Sequence, residues 1–225
     1  RTFWEVDPAR IARTRKETFQ GKCWVPFAKG GEYSPFYADI HLVVDWEQDG
    51  QLIRKFEQAV VRNPQFYFCS GITWPERTTS GFSPQVLPAG CVFSVTGPAV
   101  IPSNHNVGPV LLAILNDRVT RVIIDGLVPA GEETSSGTAA RHYGVGLVQR
   151  LPWLGVALSA DATECLGNLS TEIMALRARL DENDETTRRF ICPDILRITD
   201  MSLLSRITAV LDARDRTSGE EAIAE

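Results

Sequence analysis

Apolar positions along the chain change their spacing near residue 155. Before it, short apolar runs alternate with Gly- and Pro-rich breaks; after it, apolar residues recur at helical intervals. The run Ile40 to Trp46 predicts a buried strand, stopped by Asp49-Gly50. Leu52 to Val61 predicts a short helix. Gln65 to Cys69 and Cys91 to Val95 predict two more strands, the latter entered through Pro88-Ala89-Gly90. Val110 to Leu115 predicts a buried helix and Val119 to Leu127 another. A Gly/Ser/Thr-rich loop is expected over Pro129–Thr138, and a returning strand over Tyr143–Val148.

Leu166, Leu169, Ile173, Leu176 and Leu180 then follow at spacings of 3, 4, 3 and 4, the pattern of a coiled-coil seam. Asp161 and Glu164 suit a capping box at the start of this helix. Two heptads are short, so packing on a neighbouring helix is expected, with Leu204, Ile207 and Leu211 as the facing stripe after a break around Pro193. The tail from Arg216 to Glu225 is polar and is expected to fray. These patterns predict a mixed α/β domain over 1–157 and a helical, coiled-coil-like packing segment over 158–225.

Composition sharpens the division. Sixteen of the 19 aromatic residues lie at or before Phe93. Residues 1–157 carry 15 basic and 14 acidic side chains, against 8 and 14 over 158–225. Only the first part is electrostatically free to meet phosphate, and there the basic groups would have to cluster on one face. No run of 18 apolar residues occurs, so no membrane span is expected. The five cysteines are odd in number and contain no C-x-x-C pair, so buried thiols in a reducing cytoplasm are expected rather than a disulfide framework or zinc site. The start at Arg1, without Met or a signal-peptide pattern, suggests a piece of a longer chain.

Catalytic motifs are weak. Asn63-Pro64-Gln65-Phe66 is one residue away from the N-P-P-[YF] motif of amino-methyltransferases, but no upstream glycine-rich loop accompanies it, and a turn leading into a strand is expected. Gly144-Val145-Gly146 begins like a dinucleotide loop, yet Gln149 stands where a third glycine belongs, so a closely packed strand is expected instead. His41, His105 and His142 lie in unrelated segments, and neither G-x-S-x-G nor H-E-x-x-H is present. Asn168-Leu169-Ser170 is a formal glycosylation sequon on a predicted helix.

Two stretches concentrate donors. Lys29-Gly30-Gly31, with Tyr33 close behind, forms a corner whose backbone N–H groups and cation suit an anion. Thr73, Arg77, Thr79, Ser80 and Ser83 bring guanidinium and hydroxyl donors to one Gly/Pro-punctuated stretch, and Arg141-His142 adds two more polar groups. The same residues also read as two ordinary turns with aromatic core plugs. The acidic C-terminal helices are expected to point away from this face.

The strings themselves add a resemblance. PFAKGGEYSPFYADIHLVVDW at 26–46, GITWPERTTSGFSPQVLPAGCVF at 71–93, LLAILND at 111–117 and YGVGLVQRLP at 143–152 resemble the region beyond the catalytic domain in type IIG-like and BREX-type adenine-specific DNA methyltransferases. The resemblance covers roughly residues 20–155 in the right order, and more loosely the helices after 160.

It implies an α/β target-recognition domain that reads double-stranded DNA, serving a larger N6-adenine methyltransferase of a restriction–modification or phage-exclusion system. S-adenosylmethionine would bind a catalytic domain N-terminal to this chain, which itself would carry neither cofactor nor catalytic residue, and no metal. Partners would be double-stranded DNA, that N-terminal domain, and, through the helices, a second copy or other defence-system subunits. The other reading of the same parent is a protein-interaction module docking through its C-terminal helices. An independent small-molecule enzyme finds no nucleophile–base or metal pattern to support it.

Overall fold

The computed structural model describes residues 1–128, 132–133, 139–152, 157–193 and 202–224. The fold mixes small sheets with helices, the α/β class expected from the sequence. The first sheet has the order β2-β1-β6: β1 (Trp24–Ala28) runs antiparallel to β2 (Val43–Asp45) and parallel to β6 (Val92–Phe93). The second has the order β5-β3-β7: β3 (Gly71–Thr73) lies between β5 (Gln85–Leu87) and β7 (Ala99–Val100), antiparallel to both. The third is antiparallel and has the order β4-β9-β8: β4 (Arg77–Thr78), β9 (Ala139–His142) and β8 (Glu132–Glu133).

The helices are α1 (Glu47–Lys55), α2 (Gly108–Asn116), α3 (Arg118–Leu127), α4 (Val145–Val148), α5 (Ala160–Leu180) and α6 (Leu203–Ala224). The Asp117 side chain, accepting from the Val119 amide, caps α3. Among the described residues no helix is long and apolar enough to cross a membrane.

The main core joins the second sheet to three helices. Ile72, Trp74 and Phe82 pack with Leu112 and Leu115 of α2, Ile124 of α3, Tyr143 and Ile173 of α5. Trp74 and Tyr143 are fully buried. A second cluster under the first sheet gathers Val25, Trp46, Tyr67 and Val92. A third cluster gathers Ala28, Ile40, Leu87 and Cys91, and so includes residues of both β1 and β5. All five cysteines are free; burial pushes the Cys91 thiol up to about 11.

Several local expectations differ from the structure. The segment 65–69 is not a strand: Pro64–Phe66 is a 3-10 turn flanked by left-handed Asn63 (φ 52°) and Phe68 (φ 70°), backbone that cannot continue a ladder. The expected helix over 52–61 ends at Lys55, and its start is interrupted by left-handed Gln48, Asp49 and Gly50. Asp49 holds that distortion in place, accepting from the Trp46 indole and pairing with Arg15 and Arg54. The returning strand lies at 139–142, and 145–148 is a short helix in which Gly146 has open space around it rather than close packing. Except for 132–133, the loop expected over 129–138 lies outside the described residues, as do 194–201 beyond Pro193.

Helix α5 begins with Ser159, whose hydroxyl accepts from the Ala162 amide, in place of the expected Asp161–Glu164 box. Part of its seam faces the core: Ile173 is 2% exposed and Leu176 is buried, Leu166 and Leu180 are partly buried, and Leu169 is exposed. The Gly167 face abuts Val110 of α2. Helix α6 also contacts α5. However, Leu204, Ile207 and Leu211 keep much of their surface exposed, so they do not form the sealed facing stripe expected of them. Helix α6 continues to Ala224, beyond the point where fraying was expected.

Candidate nucleic-acid interface

The third sheet brings distant polar residues into register. Arg77 stands opposite His142, and Thr78 opposite Arg141. The sheet is fastened to the core from behind. The Tyr143 amide donates to the Glu76 carbonyl at 2.7 Å, and the Trp74 indole donates to the Tyr143 carbonyl at 2.7 Å. The Tyr143 hydroxyl donates to Asp125 at 2.9 Å, and Arg141 pairs with the same carboxylate at 2.7 Å. Burial raises the Tyr143 hydroxyl above its ordinary value, which keeps it a donor.

These pairings separate the cations. Arg141 is already neutralised by Asp125. His142 faces Glu76 at 3.1 Å. Glu76 is therefore not the partner of its neighbour Arg77, which is exposed and forms no ion pair or side-chain hydrogen bond with a described residue. Lys29 is exposed and equally unpaired among the described residues.

The glycine corner is tied to the same region. Gly30 (φ +94°) and Gly31 (φ +112°) adopt backbone that other residues rarely take. A Cβ on Gly30 would lie 3.0 Å from the Thr96 carbonyl and 3.2 Å from the Pro75 Cα. Thr96 also accepts from the Glu76 amide at 3.1 Å, so the corner, the 94–97 turn and the entry to β4 form one junction. The Tyr33 ring lies near Gly81, where an added Cβ would come within 3.8 Å of it. The Ser34 amide donates to the Ser83 hydroxyl at 2.8 Å, and the Phe36 amide to the Pro84 carbonyl.

The structure thus connects Lys29, Gly30, Gly31, Tyr33, Arg77, Arg141 and His142 through a chain of contacts, with exposed Thr79 and Ser80 between β4 and Gly81. It removes two residues from the surface. Thr73 and Ser83 are buried; the Thr73 hydroxyl donates to the Pro98 carbonyl, and Ser83 is occupied by Ser34. Both side chains are scaffold.

The other flank of the corner opens into a cleft of about 360 Å³ that also contains Tyr37, Asp39, Arg177 and Asp181. The end of α5 therefore lies beside Lys29 instead of pointing away. Burial, with Asp39 and Asp184 adding like charge, pushes the Asp181 carboxyl up to about 6. Burial raises the Tyr37 hydroxyl to about 12. Asp39 is paired with Arg188, whose backbone amide and guanidinium both donate to it at 3.1 Å. Lys29 and Arg177 share this cleft with Asp39 and Asp181, so its charge is mixed, whereas Arg77 on the β4–β9 side has no counter-charge among the described residues.

No family model matches the chain. Over 83 residues, 37% of this chain, it is 37% identical to adenine-specific methyltransferase BrxX of Escherichia coli O9:H4 (strain HS). Over 138 residues, 57% of this chain, it is 27% identical to adenine-specific methyltransferase PglX of Lacticaseibacillus casei (strain Zhang). The similarity is to adenine-specific methyltransferases. The matched parts span 7% of the first relative's length and 12% of the second's.

The structure also places the two partial motifs of the sequence. Gly144-Val145-Gly146 follows β9 after Tyr143 but opens a helix of only four residues, and Gln149 stands where a nucleotide loop has its third glycine. In Asn63-Pro64-Gln65-Phe66, the Pro64 carbonyl already accepts from Arg15 at 2.6 Å. Among the described residues, no three His, Cys, Asp or Glu side chains gather as a metal site. Sequence reasoning overlooked one group. Arg62, Phe66 and Glu76 border a second cleft, of about 280 Å³, together with Tyr67, Phe93 and Val145. The aromatic run 66–68 was its only signal, and that run reads equally well as a core strand.

Proposed function

We propose that this chain is the DNA target-recognition region of a larger adenine-specific DNA methyltransferase serving phage defence or restriction–modification. The observation that carries this reading is Arg77. It is an exposed guanidinium with no ion-pair partner among the described residues, on a strand that the core holds rigidly from behind. Such a group is suited to pair bidentately with guanine in the major groove or to clamp a phosphate. The partial similarity to two adenine-specific methyltransferases supports the parent's chemistry. Cofactor binding and methyl transfer would then belong to a part of the parent outside this chain.

Duplex titration with the 225-residue chain tests the reading. If Arg77 reads a base, Arg77→Ala weakens binding by about 1–3 kcal/mol and relaxes specificity at one position. If it holds phosphate, affinity falls for all sequences and the salt slope shrinks by about one. Unchanged affinity, specificity and salt dependence would remove Arg77 from the interface. Equal silence from Lys29→Ala/Arg141→Ala would reject the face.

A second reading, a protein-docking module, is favoured by the exposed Leu203, Leu204, Ile207 and Leu211 on α6. Sedimentation of wild type against Leu204→Asp, alone and with partner subunits, separates the two. Loss of an assembly with duplex binding intact assigns α6 to protein contacts.

A further inference from the structure

The second cleft borders the proposed DNA face directly. Glu76 forms part of its lining and is followed at once by Arg77. One Glu76 oxygen is held by His142 at 3.1 Å, so the carboxylate's position is fixed by the same strand that faces Arg77. The cleft belongs to no interaction described so far.

Its chemistry is specific. Phe66 is 44% exposed and has no ring partner among the described residues. Tyr67 meets Phe93 edge to face, with ring centroids 4.9 Å apart, behind it. Val95 and Val145 add exposed apolar rim. Arg62 and Asn63 are exposed, and neither side chain bonds a described residue. The cleft therefore offers a free aromatic face, a carboxylate acceptor, and amide and guanidinium donors. An apolar peptide would use the ring and rim but leave the polar groups idle. A bare phosphate would meet Glu76.

We propose that this cleft takes one unstacked nucleobase carrying an exocyclic amino group. The ring would stack on Phe66, its amino group would donate to Glu76, and Arg62 would face the adjoining phosphate. At about 280 Å³ the cleft lies just below the range of drug-sized ligand sites, roughly 300–1,000 Å³, and suits a single ring system rather than a base pair. The proposal rests on the reading of the chain as a DNA-binding region, but it concerns a separate set of residues.

The test uses short fluorescein-labelled single strands of deoxyadenosine, deoxycytidine and thymidine, titrated with the 225-residue chain and followed by anisotropy. Adenine and cytosine strands are expected to bind more tightly than thymine. Phe66→Ala, an exposed site where folding should survive, is expected to weaken them by about fivefold or more. Glu76→Gln should reduce the preference over thymine, and Arg62→Ala should weaken all three strands and flatten the salt dependence. Absence of single-strand binding, equal binding with and without Phe66, or no preference over thymine overturns the proposal. A duplex titration of Arg77→Ala in the same series keeps the two readings apart. Duplex binding lost with Arg77 while single strands ignore Phe66 overturns the cleft alone. Single-strand binding lost with Phe66 where no duplex binds supports the cleft and overturns the duplex reading.

Discussion

The indole of Trp74 donates a buried hydrogen bond to the carbonyl of Tyr143, 69 residues further along the chain. It joins the residue after β3 to the residue after β9, and so fixes where the β4–β9 pair sits on the core. Trp74→Phe would leave that carbonyl without its donor and shrink a fully buried side chain. A loss of about 1–3 kcal/mol is expected from the unsatisfied group, with lost packing added, read as a lowered denaturant midpoint. Tyr143→Phe, which removes only the hydroxyl facing Asp125, should cost about 0.5–1.5 kcal/mol.

Burial along α5 predicts a graded series. Ile173→Ala removes a side chain that is 2% exposed within the main core, at an expected cost of about 2–4 kcal/mol. Leu204→Ala on α6, at 75% exposure, should stay within about 0.5 kcal/mol of wild type. Thermal denaturation of both variants checks the order; equal effects would mean that Leu204 is covered in solution.

The two corner glycines should respond differently to alanine. Both have positive φ, a strain of about 1–3 kcal/mol for an ordinary residue. A Cβ at Gly31 meets open space, whereas at Gly30 it presses on Thr96 and Pro75. Gly30→Ala should therefore be the more destabilising and should also shift the β4 amide resonances in heteronuclear NMR spectra, which Gly31→Ala should leave in place.

Asp181 predicts a pH dependence of defined sign. Its carboxyl is raised from 3.8 to about 6 in the folded chain, chiefly by burial and then by Asp39 and Asp184. The folded state therefore holds a proton that the unfolded state releases. The associated stability is fully present below about pH 4 and is lost as pH rises through about 6. Asp181→Asn should stabilise the chain at pH 7–8 by about 1 kcal/mol, allowing for the solvent that still reaches this half-buried group, and should have no such effect at low pH. Urea melts across that range measure it.

Helices were legible in the sequence where apolar spacing was regular. The predicted 110–115 and 119–127 helices and the 166–180 stripe correspond to α2, α3 and α5. Strands were less so, because β3, β4, β5 and β7 are two or three residues long and exist through pairing with distant partners. No local period marks a strand that short. The same reason explains the candidate residues. Arg77 and Lys29 follow from residue type, but whether Thr73 and Ser83 face solvent depends on sheet register and on Ser34, 49 residues from Ser83. The Phe66 cleft was hidden because exposure of an aromatic ring is decided by the fold around it.

Thr79 and Ser80 are exposed, while the chain on either side is secured: Arg77–Thr78 by β9, and Phe82–Ser83 by the core and Ser34. A span anchored at both ends can change length cheaply, since doubling a flexible loop adds only about 0.6 kcal/mol of closure entropy. Insertions between Thr78 and Phe82 would alter what the face presents while leaving Trp74, Tyr143 and the packing behind them untouched. This short crossing is therefore the natural place for grafting: it can diversify between relatives, or be exchanged by design, without re-optimising the body that carries it.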